Sequence, residues 1–219
     1  MHSEIRLETA SGEVSLGSRR LYFPDLVVRA GEIIALVGKN GTGKSVWLRH
    51  LMGWLNPVSG KVTSTLWKQG SQIAWVNNNR EAFADLWVED VITLGKSQPG
   101  KFSLEAALSK FNLITKRSQS IQTLSDGEWM RVNMARLYYH QPPLILMDEP
   151  TAHLDFEYKL YWENWVDELQ QWGSTLICAT HDLQWASESA HKVWCIQDDH
   201  LIEMHHPHFI PQVLIKKDK

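Results

Sequence analysis

Over residues 4 to 28 the apolar and polar positions alternate loosely, and the stretches IRLET, EVSL and DLVV read as short β segments. Ser-Gly and Phe-Pro-Asp turns divide them, as in a small antiparallel sheet. The pattern then changes. Ala30-Gly31-Glu32 leads into the continuous apolar run Ile33 to Val37, which predicts a strand buried on both faces. A glycine-rich turn follows, then a helical pattern from Ser45 to about Trp54, stopped by Asn56-Pro57. KVTSTLW and QIAWV predict two further strands. Residues 80 to 123 turn helical and polar, with a break at Gln98-Pro99-Gly100, and read as an inserted helical lobe. From 125 onward the expected order is a helix over Gly127 to His140, strand LILM and a helix over about Phe156 to Trp172. Strand TLICA, a helix, strand VWCI, a turn at Asp198-Asp199 and a last short strand complete it. Strands alternating with helices imply a mainly parallel sheet covered on both faces.

Composition narrows the class without changing this picture. The chain has 219 residues, 43% apolar and 21% charged, which suits a globular protein with a real core and excludes disordered, collagen-like and coiled-coil classes. A net charge of −3 argues against gripping nucleic acid through a strongly basic surface. Cys178 and Cys195, the only two cysteines, lie inside apolar β-like stretches and give no support to a disulfide framework or thiolate metal site. The longest apolar runs fall far below the roughly 20 residues of a membrane span, and MHSEIRLE carries no apolar signal core. The chain is therefore expected to neither span nor cross a membrane.

Gly38-Lys39-Asn40-Gly41-Thr42-Gly43-Lys44-Ser45 fits G-x-x-x-x-G-K-[ST] between a buried strand and a helix, the context a phosphate-binding loop requires. Glycines let the backbone curl so that successive N–H groups point at phosphate oxygens, and the following helix adds the positive end of its dipole. Lys44 is expected at the β- and γ-phosphates and Ser45 at Mg²⁺. Leu144 to Met147 forms an apolar strand that delivers Asp148 and Glu149 at its C-terminal end, where ligands of open α/β sheets bind. Asp148 suits Mg²⁺. Glu149, pointing the other way, could take a proton from the water attacking the γ-phosphate.

Leu124-Ser125-Asp126-Gly127-Glu128, followed by Arg131, resembles the Leu-Ser-Gly-Gly-Gln signature of the ATP-binding subunit of ABC transporters. Further landmarks follow in that family's order: Asp148 and Glu149 as Walker B, Pro150 to Asp155 as the D-loop, and Thr180-His181-Asp182 with the switch histidine. The resemblance implies a single α/β P-loop NTPase domain. Residues 1–79 and 124–219 would form the catalytic core with an N-terminal antiparallel β subdomain, and about 80–123 the helical lobe. It implies ATP hydrolysis with Mg²⁺ in a head-to-tail homodimer, in which Ser125 and Gly127 of one copy close over the γ-phosphate held by Lys44 of the other. It also adds His181 as a γ-phosphate contact, Asp155 as a nucleotide-site residue and Asn78, in the place of the Q-loop glutamine, near the metal. Transmembrane permease subunits, and through them a substrate-binding protein, are the implied partners, with no nucleic acid. The implied location is the cytoplasmic face of the inner cell membrane. Among subfamilies the segments look most like ATPases of iron-siderophore, haem or cobalamin importers; the alternative is the ATPase of an ABC exporter, or a soluble ABC-type ATPase not coupled to transport.

Several positions depart from the family pattern. Asp126 replaces a glycine and puts a carboxylate where phosphate is expected, so it should point away or find a cationic partner. Asn78 is one methylene shorter than glutamine. Glu8 to Ser18 lacks the aromatic residue that stacks on adenine, and Tyr22 and Phe23 come later than expected. Of the 11 tryptophans, Trp162, Trp165 and Trp172, with Leu160 and Leu169, sit at near-helical spacing and predict a core-facing stripe. Trp87 is a candidate for a groove that receives a permease helix. His200, His205, His206 and His208, with the Lys-rich tail, read as solvated surface rather than a metal site.

Overall fold

A computed structural model describes residues 4–69, 72–77, 79–95, 102–152 and 154–204, with backbone alone at 68 and 69. Among the described residues ten strands form one curled sheet: β1 (Ile5–Leu16), β2 (Arg19–Phe23), β3 (Leu26–Arg29), β4 (Ile33–Gly38), β5 (Ser59–Ser64), β6 (Ile73–Asn77), β7 (Leu144–Asp148), β8 (Thr175–Ala179), β9 (Lys192–Gln197) and β10 (His200–Met204). Their order is β3-β1-β2-β10-β9-β4-β8-β7-β6, with β5 paired to β1 outside this path. The run from β9 through β4, β8 and β7 to β6 is parallel. Around β1 the pairing is antiparallel.

The continuous apolar strands work because the period of two divides their side chains between two cores. In β4, Ile33, Ala35 and Val37 enter one core while Ile34 and Leu36 enter the other. β7 and β8 repeat the division, with Ile145, Met147, Leu176 and Cys178 on the first side and Leu144, Leu146, Ile177 and Ala179 on the second. The second core is closed by α1 (Lys44–Leu51), which buries Trp47, Leu48 and Leu51. Truncating a fully buried tryptophan such as Trp47 to alanine would remove about 3–5 kcal/mol. On the first side lie α4 (Asp126–His140), α5 (Phe156–Gln171) and α6 (Leu183–Ser189), joined by contacts such as Trp162 on Trp185 at 4.9 Å between ring centroids.

Between β6 and α4 the chain forms α2 (Val88–Thr93), α3 (Leu104–Lys110) and short 3-10 turns. Val88, Val91, Ile92, Ala107, Leu108 and Phe111 join α4's buried face in the first core. Ser103 starts α3 by accepting the Ala106 N–H at 3.1 Å. Trp87, just before α2, is half exposed, and its backbone N–H is held by Asp90.

Several expected boundaries move. Ser11-Gly12 is no turn, because β1 runs through it as one strand. A Cβ at Gly12 would collide with the Ser59 carbonyl of β5, so glycine there allows two backbones to meet. The first helix ends at Leu51 rather than near Trp54, and Gly53, at φ +76°, turns the chain away. KVTSTLW splits, since β5 stops at Ser64 and Thr65–Gln69 is a 3-10 turn. Trp162, Trp165 and Leu169 are buried as expected, but Leu160 is 48% exposed on the outer side of α5. The Gln98–Gly100 break, His205, His206, His208 and the tail lie outside the described residues. No helix of the described residues is long and apolar enough to cross a membrane.

Candidate functional site

The 38–45 turn joins the buried end of β4 to α1. Gly41 at φ +78° and Gly43 at φ +104° occupy left-handed backbone that favours glycine. A Cβ on Gly38 would stand 2.9 Å from both the Ile196 carbonyl and the Thr42 hydroxyl. Thr42 braces the curl by donating from Oγ1 to the Lys39 carbonyl at 2.9 Å. α1 opens on Gly43 with no side-chain cap and with no acidic residue in its first turn, which leaves a positive helix end facing the curl. Lys44 is only 7% exposed, and its Nζ donates to the Gly38 carbonyl at 2.9 Å, so the cation lies across the loop's own mouth.

β7 lies between β6 and β8, and its register sets Asp148 opposite both Asn77 and Ala179. One residue later Glu149 turns into left-handed backbone, at φ +50°, with its N–H on the Ala179 carbonyl at 2.9 Å. That turn brings one carboxylate oxygen 3.4 Å from Lys44 Nζ and the other 2.7 Å from His181 Nδ1. His181 is placed by a fixed corner. Thr180 N–H bonds the Leu36 carbonyl at 3.0 Å, Thr180 Oγ1 accepts the Asp182 N–H at 3.0 Å, and Asp182 caps α6 through the Trp185 N–H at 3.0 Å. Asp148 is hydrogen-bonded to Ser45. Burial pushes its carboxyl above the usual range, opposed first by the Ser45 bond, with the charge of Glu149 adding to the rise and Lys44 and Arg49 opposing it. Lys44, Ser45, Asp148, Glu149 and His181, from three separate sequence segments, therefore meet at one end of the parallel strands. A serine hydroxyl beside a carboxylate is a hard-oxygen donor pair that fits Mg²⁺. Asn78 lies outside the described residues.

Ser125 begins α4 with a reciprocal cap: its Oγ accepts the Glu128 N–H at 3.2 Å, and the Glu128 carboxylate accepts the Ser125 N–H at 2.9 Å. Lys116, 2.8 Å from Glu128, together with that N–H, holds the Glu128 carboxyl below its ordinary range. Gly127 is required by packing, since a Cβ there would run into the Tyr158 ring of α5. Asp155 caps α5 by accepting the Tyr158 N–H at 3.0 Å. Among the described residues no hydrogen bond or ion pair joins Ser125 or Gly127 to the 38–45 turn of the same chain. Of the two outcomes expected for Asp126, turning away or meeting a cation, the second is found: Arg80 Nη2 donates to its carboxylate.

Two residues that sequence reasoning passed over lie against the phosphate loop. Leu16, at the end of β1, packs so close to Gly43 that a Cβ there would come within 2.7 Å of its methyl. Arg19 Nη2 donates to the Gly41 carbonyl at 2.7 Å, while Nη1 pairs with Asp199 at 3.2 Å. The late aromatics are engaged elsewhere, Tyr22 stacked on His200 at 5.0 Å and Phe23 buried against Trp47. Only the hairpin geometry of β1 and β2 brings Arg19 to the loop, and no spacing rule in the sequence marks it.

The family model for ABC transporters matches residues 24–152, more than half of the chain and all of the loop, signature and β7 segments. The chain belongs to the ABC transporter family. This ABC-type ATPase is 32% identical over 203 residues to the "Hemin import ATP-binding protein HmuV" of Rhodopseudomonas palustris strain HaA2, an alignment that covers 84% of this chain and 78% of that protein. It is 31% identical over 192 residues to the "Aliphatic sulfonates import ATP-binding protein SsuB 2" of Pseudomonas fluorescens, covering 84% of this chain and 70% of that one. Among solved structures it superposes on a nucleotide-free ATP-binding cassette from an ABC transporter with a TM-score of 0.79 at 20% identity, covering 96% and 95% of the two chains. The P-loop NTPase fold of ABC ATPases is thereby shown, as is the chain's place as the ATPase subunit of an ABC transporter.

Proposed function

We propose that this ATPase works as a Mg²⁺-dependent homodimer on the cytoplasmic face of the cell membrane. There it drives a separate permease that imports an iron-siderophore, haem or cobalamin compound delivered by a binding protein. The observation that carries the reading is the meeting of Lys44, Ser45, Asp148, Glu149 and His181 around the bare start of α1. The loop amides of Gly38, Lys39, Asn40, Gly41, Thr42 and Gly43 would cradle the phosphates. Lys44 would leave the Gly38 carbonyl and Glu149 to meet them. Ser45 and Asp148 would hold Mg²⁺, with Asn78 beside it. When bound, the ion neutralises charge on the transferring phosphoryl group. Glu149, freed from Lys44, would take the proton of the attacking water, and His181 would orient that carboxylate and reach the γ-phosphate.

Ser125 and Gly127 would act on the nucleotide of a second copy, with Asp155 at the same junction, because among the described residues of their own chain they are bonded only within the α4–α5 corner. Leu16 and Arg19 would supply the surface for the base in place of the absent aromatic. Half-exposed Trp87 would line the groove that receives a permease helix. Division of the chain into a core of residues 1–79 and 124–219 and a lobe of about 80–123 belongs to the same proposal. Relatives named for import of hemin and of sulfonates support import, and the former favours an iron-chelate cargo.

The test is Glu149→Gln. Wild type should hydrolyse ATP with Mg²⁺, and the variant should lose about 10²–10⁴ in rate. It should also accumulate as a nucleotide-bound dimer, measured by light scattering. A variant that stays monomeric at saturating ATP overturns the shared site.

A further inference from the structure

We propose that Arg80 is a positioning residue for the shared ATP site: it neutralises Asp126 of its own chain and fixes the Leu124–Ser125–Asp126 turn that is offered to the other copy's triphosphate. This inference rests on the reciprocal dimer described above.

Arg80 lies three residues beyond Asn77, the end of β6 in register with Asp148, and hydrogen bonds on both sides fix its position. Asn77 Oδ1 accepts the Asn79 N–H at 3.2 Å, Asn79 Oδ1 accepts the Glu81 N–H at 2.8 Å, and the Arg80 carbonyl accepts the Phe83 N–H at 2.9 Å. From this corner the guanidinium reaches across to α4. Nη1 donates to the Leu124 carbonyl at 2.5 Å, Nη2 donates to Asp126, and Cζ lies over the Trp129 ring at 5.9 Å from its centroid. Two hydrogen bonds to residues on either side of Ser125, plus a ring contact one turn along the helix, hold the start of α4 at three points. Lysine, with a compact ammonium, could not make all three.

Charge gives this arrangement a role beyond bracing. Asp126 sits in the first turn of α4 beside Ser125 and Gly127, and its side chain is 61% exposed. A bare carboxylate there opposes a triphosphate brought up by a second copy, while the helix end alone would attract it. Arg80 makes the pair neutral. It also ties the residues after β6, whose last member Asn77 is in register with Asp148, to the segment facing the other active site. One short corner thus touches the metal-side strand of one site and the signature turn of the next.

The experiment measures ATP-driven dimer closure in the Glu149→Gln background, beside the affinity of the monomer for ATP. Arg80→Met should raise the ATP concentration for half-maximal closure about 10- to 100-fold, the range expected for one uncompensated exposed charge several ångströms from phosphate. Monomer affinity, set by the intact Lys44 loop, should hold. Adding Asp126→Gly to Arg80→Met should recover most of the loss, and raising ionic strength should narrow it. Arg80→Lys, which keeps the charge, should lose only a few-fold and serves if Arg80→Met does not fold. Closure of Arg80→Met at the parent's ATP concentration overturns the proposal. So does a double variant no better than Arg80→Met, which marks Arg80 as a brace alone. If the Glu149→Gln parent closes at no ATP concentration, the shared-site reading falls and the Arg80 assignment goes with it.

Discussion

Replacing Lys44 by methionine tests the electrostatics of the nucleotide-free site apart from its chemistry. Lys44 Nζ is buried 3.4 Å from a Glu149 oxygen, and Glu149 adjoins Asp148, whose carboxyl already suffers from burial and from its neighbour's charge. At 3.4 Å and an effective dielectric of about 20, the Lys44–Glu149 attraction amounts to about 5 kcal/mol before desolvation. Burying the ammonium offsets much of this. What remains is the cost of leaving two adjacent carboxylates without that cation, about 1–3 kcal/mol for a pair that keeps some contact with solvent. In a chain of 219 residues this lowers the melting temperature by about 2–12 °C. Differential scanning calorimetry without nucleotide should show the drop, and urea unfolding should show a lower midpoint at unchanged slope. Glu149→Gln placed on Lys44→Met should restore most of the stability, while hydrolysis stays absent in both. A Lys44→Met protein as stable as wild type, or one that Glu149→Gln does not rescue, would refute the argument that the ammonium compensates these carboxylates.

Asp148→Asn should raise the nucleotide-free melting temperature near neutral pH. The carboxyl's pKa is raised by burial, so ionising it opposes folding; the penalty is complete above the folded pKa and vanishes as pH falls below the unfolded value. The gain should therefore shrink as pH is lowered through the acid range, and Mg²⁺-dependent hydrolysis should fall by about 100-fold or more. Arg19→Ala should raise the ATP concentration for half-maximal hydrolysis about 3- to 30-fold and leave the maximal rate nearly unchanged, as expected for uniform binding of the base. Gly127→Ala should destabilise the chain by about 1–3 kcal/mol through its clash with Tyr158, and Tyr158→Ser should relieve it; both read out by urea unfolding.

The parts of the fold legible in the sequence are those written in short-range pattern. The run Ile33 to Val37 announces a strand buried on both faces, and Gly38 to Ser45 announces the curl that follows, because period and spacing alone carry the information. That Asp126 must turn away from phosphate or meet a cation was also legible, from charge at a position defined by its neighbours. Its partner was not, since Arg80 lies 46 residues away and only the packing of the 80–83 turn on α4 joins them. Leu16 and Arg19 stayed hidden for the same reason: a hairpin folded over the loop brings them there. Ser11-Gly12 misled because glycine serves turns and close backbone approach alike, and only the presence of β5 decides between them. Leu160 shared the helical spacing of its buried neighbours, but α5 is covered along a narrower stripe than that spacing implied.

Glu149 adopts a backbone shape in which a glycine would rest more easily, at an expense of about 1–2 kcal/mol for a residue with a Cβ. Glu149→Gly would release that expense only by giving up the contacts of the carboxylate with the buried Lys44 ammonium and with His181. Laboratory evolution of this chain toward heat tolerance therefore gains little from relaxing this residue, and any variant that arises there has to be screened for turnover.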